Sequence, residues 1–247
     1  YAISPDGSEV AYYGRPEDGR KGLFVAHLDG TQVRLIADGQ PTQCCPHQGS
    51  PGWSPDGTKI AYVSRSDGDR NSNIFVVDIE SGETTQATFE TVDVSGTQFT
   101  PDGSSIIYTA YWPDGYQVRI VPVTGGESSR LVGGHGSDAS NAVLSPDGSL
   151  VSYACDTHGG LEYDLDADLC LANADGSDPR VIVPGGGSFG ILTVSWSPDG
   201  SRLAFWRLLS GAYILDVATG EETRVANEAW PWWVDDHTLI IENFGPP

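Results

Sequence analysis

Trp53-Ser54-Pro55-Asp56-Gly57 decides the fold, because the chain writes this corner five times. The other copies are Ile3-Ser4-Pro5-Asp6-Gly7, Phe99-Thr100-Pro101-Asp102-Gly103, Leu144-Ser145-Pro146-Asp147-Gly148 and Trp196-Ser197-Pro198-Asp199-Gly200. Their prolines are 50, 46, 45 and 52 residues apart, close to the roughly 40 to 50 residues of one propeller blade. A sixth, worn copy is Trp233-Val234-Asp235-Asp236-His237. Proline presets φ at the second turn position, Asp bonds its own backbone, and Gly accepts a positive φ without steric cost, so the chain reverses at each corner.

Outward from each corner the sequence turns β-rich. Val10-Ala11-Tyr12-Tyr13, Ile60-Ala61-Tyr62-Val63, Ile106-Ile107-Tyr108-Thr109, Leu150-Val151-Ser152-Tyr153 and Leu203-Ala204-Phe205-Trp206 follow the turns as second strands. Third strands are expected over Leu23 to Leu28, Ile74 to Ile79, Val118 to Val123, Leu169 to Ala174 and Tyr213 to Val217. Weaker fourth strands fall over Gln32 to Ile36, Thr84 to Thr88, Ser129 to Val132, Arg180 to Val183 and Thr223 to Ala226. One such sheet leaves both apolar faces wet, and radial stacking buries them. The expectation is an all-β, six-bladed β-propeller of four-stranded antiparallel blades, a single domain over residues 1–247 with repeats starting near 1, 51, 97, 142, 193 and 230. Trp230 to Phe244 supply only the first two strands of the last blade, which is therefore incomplete. With no Met and a Tyr at position 1, the sequence reads as a processed product, with further strands expected before Tyr1.

The repeat resembles the TolB-type subfamily of WD-like propeller repeats, whose units carry a Trp-Ser-Pro-Asp-Gly turn and an apolar strand after it. The resemblance extends over nearly the whole chain. It implies the propeller fold, and for function it implies a choice, because such propellers serve as binding proteins, as gating domains of serine peptidases and as polysaccharide lyases.

Thirty-four acidic against 13 basic residues give a net charge of −21, which repels phosphate backbones and excludes nucleic acid as a partner. No stretch approaches the roughly 20 apolar residues of a membrane span. Cys155 ends a second strand and Cys170 lies early in the adjacent third strand, so an antiparallel hairpin brings them together, leaving Cys44 and Cys45 as a vicinal pair. An even cysteine count, an acidic surface and the missing Met together favour an extracytoplasmic setting, secreted, periplasmic or anchored at the cell surface.

The connections divide by length. First-to-second and third-to-fourth turns are minimal. The opposite end of the sheets receives the long segments, Gly14 to Lys21, Asp38 to Pro51, Arg65 to Asn71, Ala110 to Tyr116, Gly133 to Ser140, Asp156 to Ala167 and Pro184 to Ile191. Long loops on a stiff scaffold carry function. That end holds Arg65, Tyr111, Trp112, Tyr163, Phe189, Arg207, His47, His135 and His158, a set of aromatics, Arg and His suited to a glycan or a peptide segment. In Glu162-Tyr163-Asp164-Leu165-Asp166-Ala167-Asp168 the acids alternate, so Glu162, Asp164, Asp166 and Asp168 crowd one side of an extended segment, where a hard cation such as Ca²⁺ would relieve them. Asp168 can equally begin a strand. Gly185-Gly186-Gly187 precedes an apparent strand, so it is read as a flexible connection and not as a phosphate-binding Gly loop before a helix.

These residues favour a non-catalytic binding propeller that needs no cofactor and recognises a protein, peptide or carbohydrate on its long-loop face. Two alternatives stand beside it. One is a metal-assisted polysaccharide lyase; the other is an assembly module whose last blade is completed by a strand from another chain.

Overall fold

In the computed structural model, residues 1–14, 21–38, 40–41, 50–65, 70–133, 138–156, 167–185, 191–207, 210–227 and 229–243 are described. Every element among them is a β-strand, and every recorded pairing is antiparallel. The first sheet runs β1 (Ala2–Ile3), β2 (Glu9–Gly14), β3 (Gly22–His27) and β4 (Arg34–Asp38). The second contains β5 (Gln40–Pro41), β6 (Gly52–Trp53), β7 (Lys59–Arg65), β8 (Asn73–Asp78) and β9 (Thr84–Gln86). The third is β10 (Val94–Phe99), β11 (Ser105–Trp112), β12 (Gly115–Pro122) and β13 (Ser129–Gly133). The fourth is β14 (Ala139–Leu144), β15 (Leu150–Cys155), β16 (Asp168–Asn173) and β17 (Arg180–Val183). The fifth is β18 (Ile191–Trp196), β19 (Arg202–Arg207), β20 (Gly211–Asp216) and β21 (Glu222–Ala226), and the sixth only β22 (Ala229–Trp233) and β23 (Leu239–Asn243).

The corners explain why strands begin where they do. At Ser197 the amide of Gly200 donates to the Ser197 carbonyl at 2.8 Å, and Gly200 sits at φ 70°, a type I turn closed by a left-handed glycine. Ser197 Oγ, fully buried, donates to Asp199 Oδ1 at 2.6 Å and accepts the Arg202 amide at 2.9 Å. Asp199 Oδ1 also takes the Ser201 amide at 3.0 Å. The same three bonds recur around Ser4, Ser54, Thr100 and Ser145. The hydroxyl donated by the preceding Ser or Thr, with the amide and hydroxyl two residues on, holds the carboxyls of Asp6, Asp56, Asp102, Asp147 and Asp199 down at about 2.

The chain forms two compact units, Tyr1–Trp112 with Val118–Arg130, and Pro113–Gln117 with Leu131–Pro247. In the first, Ala11, Leu23 and Val25 of the first sheet pack on Ile60, Tyr62 and Val77 of the second. Val63, Ile74 and Val76 of the second pack on Val94, Ile106 and Tyr108 of the third. Burying a side chain of this size contributes roughly 1.5 to 3 kcal/mol. Gly52 permits the approach, since a Cβ there would lie 2.5 Å from the Thr97 carbonyl oxygen. Successive corners stand side by side, with Pro5 against Gly57 and Pro55 against Gly103. Between the second and third sheets the partly buried Glu90 carboxylate accepts Tyr108 Oη at 2.6 Å and Ser128 Oγ at 2.9 Å, and lies 3.3 Å from Arg119 Nε.

In the second unit Leu169 and Leu171 of the fourth sheet pack on Trp196, Leu203, Phe205 and Leu215 of the fifth. Trp206 meets Trp230 of the sixth edge-on at 6.2 Å. Pro146 stands against Gly200, as in the first unit. The worn corner keeps its place by other means: Asp236 Oδ1 accepts the Asp199 amide at 2.8 Å, and the Arg202 guanidinium lies 4.6 Å over Trp233.

Two features depart from the sequence reading. The loop expected over Ala110 to Tyr116 is a tight hairpin, because β11 runs to Trp112 and β12 starts at Gly115, leaving only Pro113 and Asp114 to turn the chain. The second sheet holds an extra strand. Gln40 and Pro41 pair with Arg65 and Ser64, Gly52 and Trp53 pair with Ala61 and Ile60, and so β5 and β6 share one edge of β7.

Candidate functional site

Sequential antiparallel order puts the corners and the β3–β4 type turns at one end of every sheet, and the remaining connections at the other. At the corner end the polar groups bond one another, as at Ser197. The opposite end is built differently, and each unit presents its own arrangement there.

In the first unit Arg65 closes β7, Ser72 precedes β8, Asp93 precedes β10, and Tyr111 and Trp112 close β11. Asp93 Oδ1 accepts the Ser72 amide at 2.8 Å and Ser72 Oγ at 3.0 Å, and Arg65 Nη2 lies 3.3 Å away. Burial pushes the Asp93 carboxyl up, but the Ser72 amide and hydroxyl and the Arg65 charge outweigh it, so the group sits below the usual carboxylate range. The Tyr111 amide donates to the Asp93 carbonyl at 3.0 Å, and its hydroxyl is hydrogen-bonded to Ser95 Oγ. Arg65 and Tyr111 thus meet at Asp93. The Arg65 and Asp93 side chains are 42% and 44% exposed, and a pair so open to water contributes at most about 1 kcal/mol. Asp93 keeps its Ser72 bonds without Arg65, which leaves the guanidinium fork free to exchange partners with an incoming carboxylate or hydroxyl. Trp112 lays its ring on the core shared by the second and third sheets, and its indole N–H is buried without a partner among the described residues.

In the second unit Arg207 closes β19. Its guanidinium lies 4.8 Å over the Tyr213 ring and 5.6 Å from Phe205, while Nη2 reaches Glu222 Oε2 at 3.1 Å. Its Nε is buried with no partner among the described residues. The Tyr213 hydroxyl is 2.7 Å from Ser210 Oγ. Cys155 and Cys170 form a disulfide with Cα atoms 5.9 Å apart. It is a diagonal staple, because Cys155 is paired with Asp168 and Cys170 with Tyr153. Asp168 is buried, begins β16 and accepts the Gly185 amide.

His47, His135, His158, Tyr163, Phe189, Glu162, Asp164, Asp166, Cys44 and Cys45 lie outside the described residues. Among the described residues no group of three or more His, Cys, Asp or Glu is placed to hold a metal ion, and no helix is long and apolar enough to cross a membrane. Sequence reasoning missed Asp93, Ser72, Glu222 and Tyr213. Asp93 and Ser72 are 21 residues apart and belong to no local motif, so only the pairing of sheets shows that they meet.

A family model described as the TolB beta propeller domain matches residues 2–167. An uncharacterized protein of Agrobacterium fabrum is 28% identical over 215 residues, spanning 84% of this chain and 69% of that protein. The crystal structure of TolB from Acinetobacter baumannii superposes with a TM-score of 0.68 at 19% identity, covering 89% of this chain and 52% of that one. A puromycin-hydrolyzing peptidase of Mycobacterium tuberculosis superposes with a TM-score of 0.71 at 18% identity, over 92% of this chain and 36% of its own. The chain spans only about half of the TolB structure and about a third of the peptidase; at these identities the likeness is one of fold.

Proposed function

Since the chain belongs to the TolB beta propeller domain family, we propose that it is a non-catalytic, extracytoplasmic binding module, six-bladed, which recognises a protein, peptide or carbohydrate at the end of its sheets opposite the corners. One observation carries the reading. The polar groups of the corners are consumed by one another, whereas Arg65 at the other end is half exposed, paired among the described residues with Asp93, and bound there to a carboxylate that two other donors already satisfy. Arg65 is then the exchangeable contact, with Asp93 and Tyr111 fixing its position. The disulfide between neighbouring strands supports an oxidising compartment.

The test is Arg65→Ala screened on a glycan array and a peptide library beside the unaltered chain. An exposed charge costs within about 0.5 kcal/mol of stability on removal, so melting should hold while the captured ligand is lost. Retention of every ligand by the variant rejects the site.

A further inference from the structure

The tripeptide Pro-Asp-Gly occurs six times in the chain, and one copy, Pro113-Asp114-Gly115, is not a corner. It turns β11 into β12 at the opposite end of the sheets. Each corner Asp has a Ser or Thr two places before it and another two places after it. In all five the earlier hydroxyl and the later amide donate to Oδ1. Asp114 has Trp112 and Tyr116 at those places, neither with a hydroxyl on Cβ. The Tyr116 amide, which in a corner would bond the Asp two residues back, donates instead to Asp138 Oδ1 at 2.6 Å. Asp114 is exposed, and among the described residues no donor reaches its carboxylate. Gly115 takes φ 131°, whereas the corner Gly57 and Gly200 hold 70°.

A Gly after Asp has no Cβ to shield its nitrogen, so attack on the Asp side chain depends on how freely the carboxyl turns. In that reaction the Gly nitrogen bonds to Cγ of the protonated carboxyl, whose hydroxyl leaves with the amide proton as water. A second water opens the five-membered imide. Opening at Cγ restores aspartate; opening at the main-chain carbonyl leaves the chain running through the β-carboxyl, an isoaspartate with one more carbon in the main chain. One water leaves and one returns, and nothing is oxidised or reduced. At the corners the donors fix Oδ1 and hold the carboxyl at about 2, so the free, protonated form is scarce there. Asp29 and Asp175, which also precede Gly, accept the amides of Thr31 and Ser177 at 2.9 Å. We infer that Asp114-Gly115 is a modification site, the one described Asp-Gly pair that forms isoaspartate in the folded chain.

The test stores the intact chain at neutral pH with and without urea, then applies electron-transfer fragmentation, which tells isoaspartate from aspartate residue by residue. In the folded chain Asp114 should convert at least about tenfold faster than any corner Asp, the effect of surrendering one hydrogen bond to a charged group. In urea the corners should catch up, since all six places then share one tripeptide without its bonds. Asp114→Glu, too long by one carbon for the five-membered ring, should remove the signal from this turn and leave melting unchanged. A folded-chain rate at Asp114 no higher than at the corners overturns the inference. So does a slow rate at the corners that persists in urea, because it places their protection in local sequence and not in the hydrogen bonds. A signal from this turn that survives Asp114→Glu overturns it as well.

Discussion

Tyr13 Oη, on the first sheet, accepts the main-chain N–H of Val63, on the second, at 3.0 Å. β5 pairs with Ser64 and Arg65, β6 with Ile60 and Ala61, and neither covers Tyr62 and Val63. A phenol from the neighbouring sheet therefore stands in for the missing carbonyl. Tyr13→Phe leaves a buried amide without its acceptor, a loss of about 1 to 3 kcal/mol. Urea denaturation of the variant checks it, and an unchanged midpoint would contradict the assignment.

Trp196 bridges sheets in the second unit as Trp53 does in the first. Its indole N–H donates to the Val143 carbonyl at 3.1 Å, and that of Trp53 donates to Ala2 at 3.0 Å. Trp196→Phe keeps much of the packing and removes the bond, for a cost of about 1 kcal/mol. The Val143 carbonyl keeps Ser152 Oγ at 3.1 Å, so a much larger loss would mean that ring volume, not the bond, fixes the sheet.

Five corner carboxyls sit at about 2 in the folded chain, against about 3.9 in an unfolded one. Between those values the folded state binds fewer protons, so the stability they contribute is complete above about pH 4 and disappears as pH falls toward 2. Melting temperature should be level from neutral pH to about 4.5 and drop below it. Asp147→Asn should lower stability near neutral pH and make the acid drop shallower. A variant with the same acid limb as the unaltered chain would remove Asp147 from the account.

The Cys155–Cys170 bridge closes a loop with a sequence separation of 15, which in the chain-entropy treatment is worth about 3 kcal/mol. Cys155→Ser should lower the unfolding free energy by that order, and a dithiol reductant should destabilise the unaltered chain but not the variant. Equal effects of reductant on both would show that the bridge contributes nothing.

The corners and second strands were legible because their chemistry is local. Ser197, Asp199, Ser201 and Arg202 bond within six residues, and a pentapeptide carries most of the instruction. The Cys155–Cys170 pairing was legible for the same reason, since one hairpin brings the two together. The Glu90 cluster was not, because Tyr108, Arg119 and Ser128 come from different parts of the third sheet and nothing near Glu90 announces them. The hairpin at Pro113-Asp114 is not legible, since Tyr111 and Trp112 have the letters of exposed loop aromatics, while Trp112 in the fold lies on the core. Of the candidate residues at the far end of the sheets, Arg65 and Tyr111 are legible from their position at strand ends. Asp93, which joins them, lay hidden because a single carboxylate before a strand is indistinguishable from a solvated one.

The doubled edge of β7 has an engineering meaning. β5 ends at Pro41 and β6 begins at Gly52, and one phenol serves the stretch of β7 between their partners. A foreign recognition sequence spliced between those two anchor points inherits two fixed ends on a stiff frame, so this seam is where the scaffold can be given a new specificity at least cost to its folding.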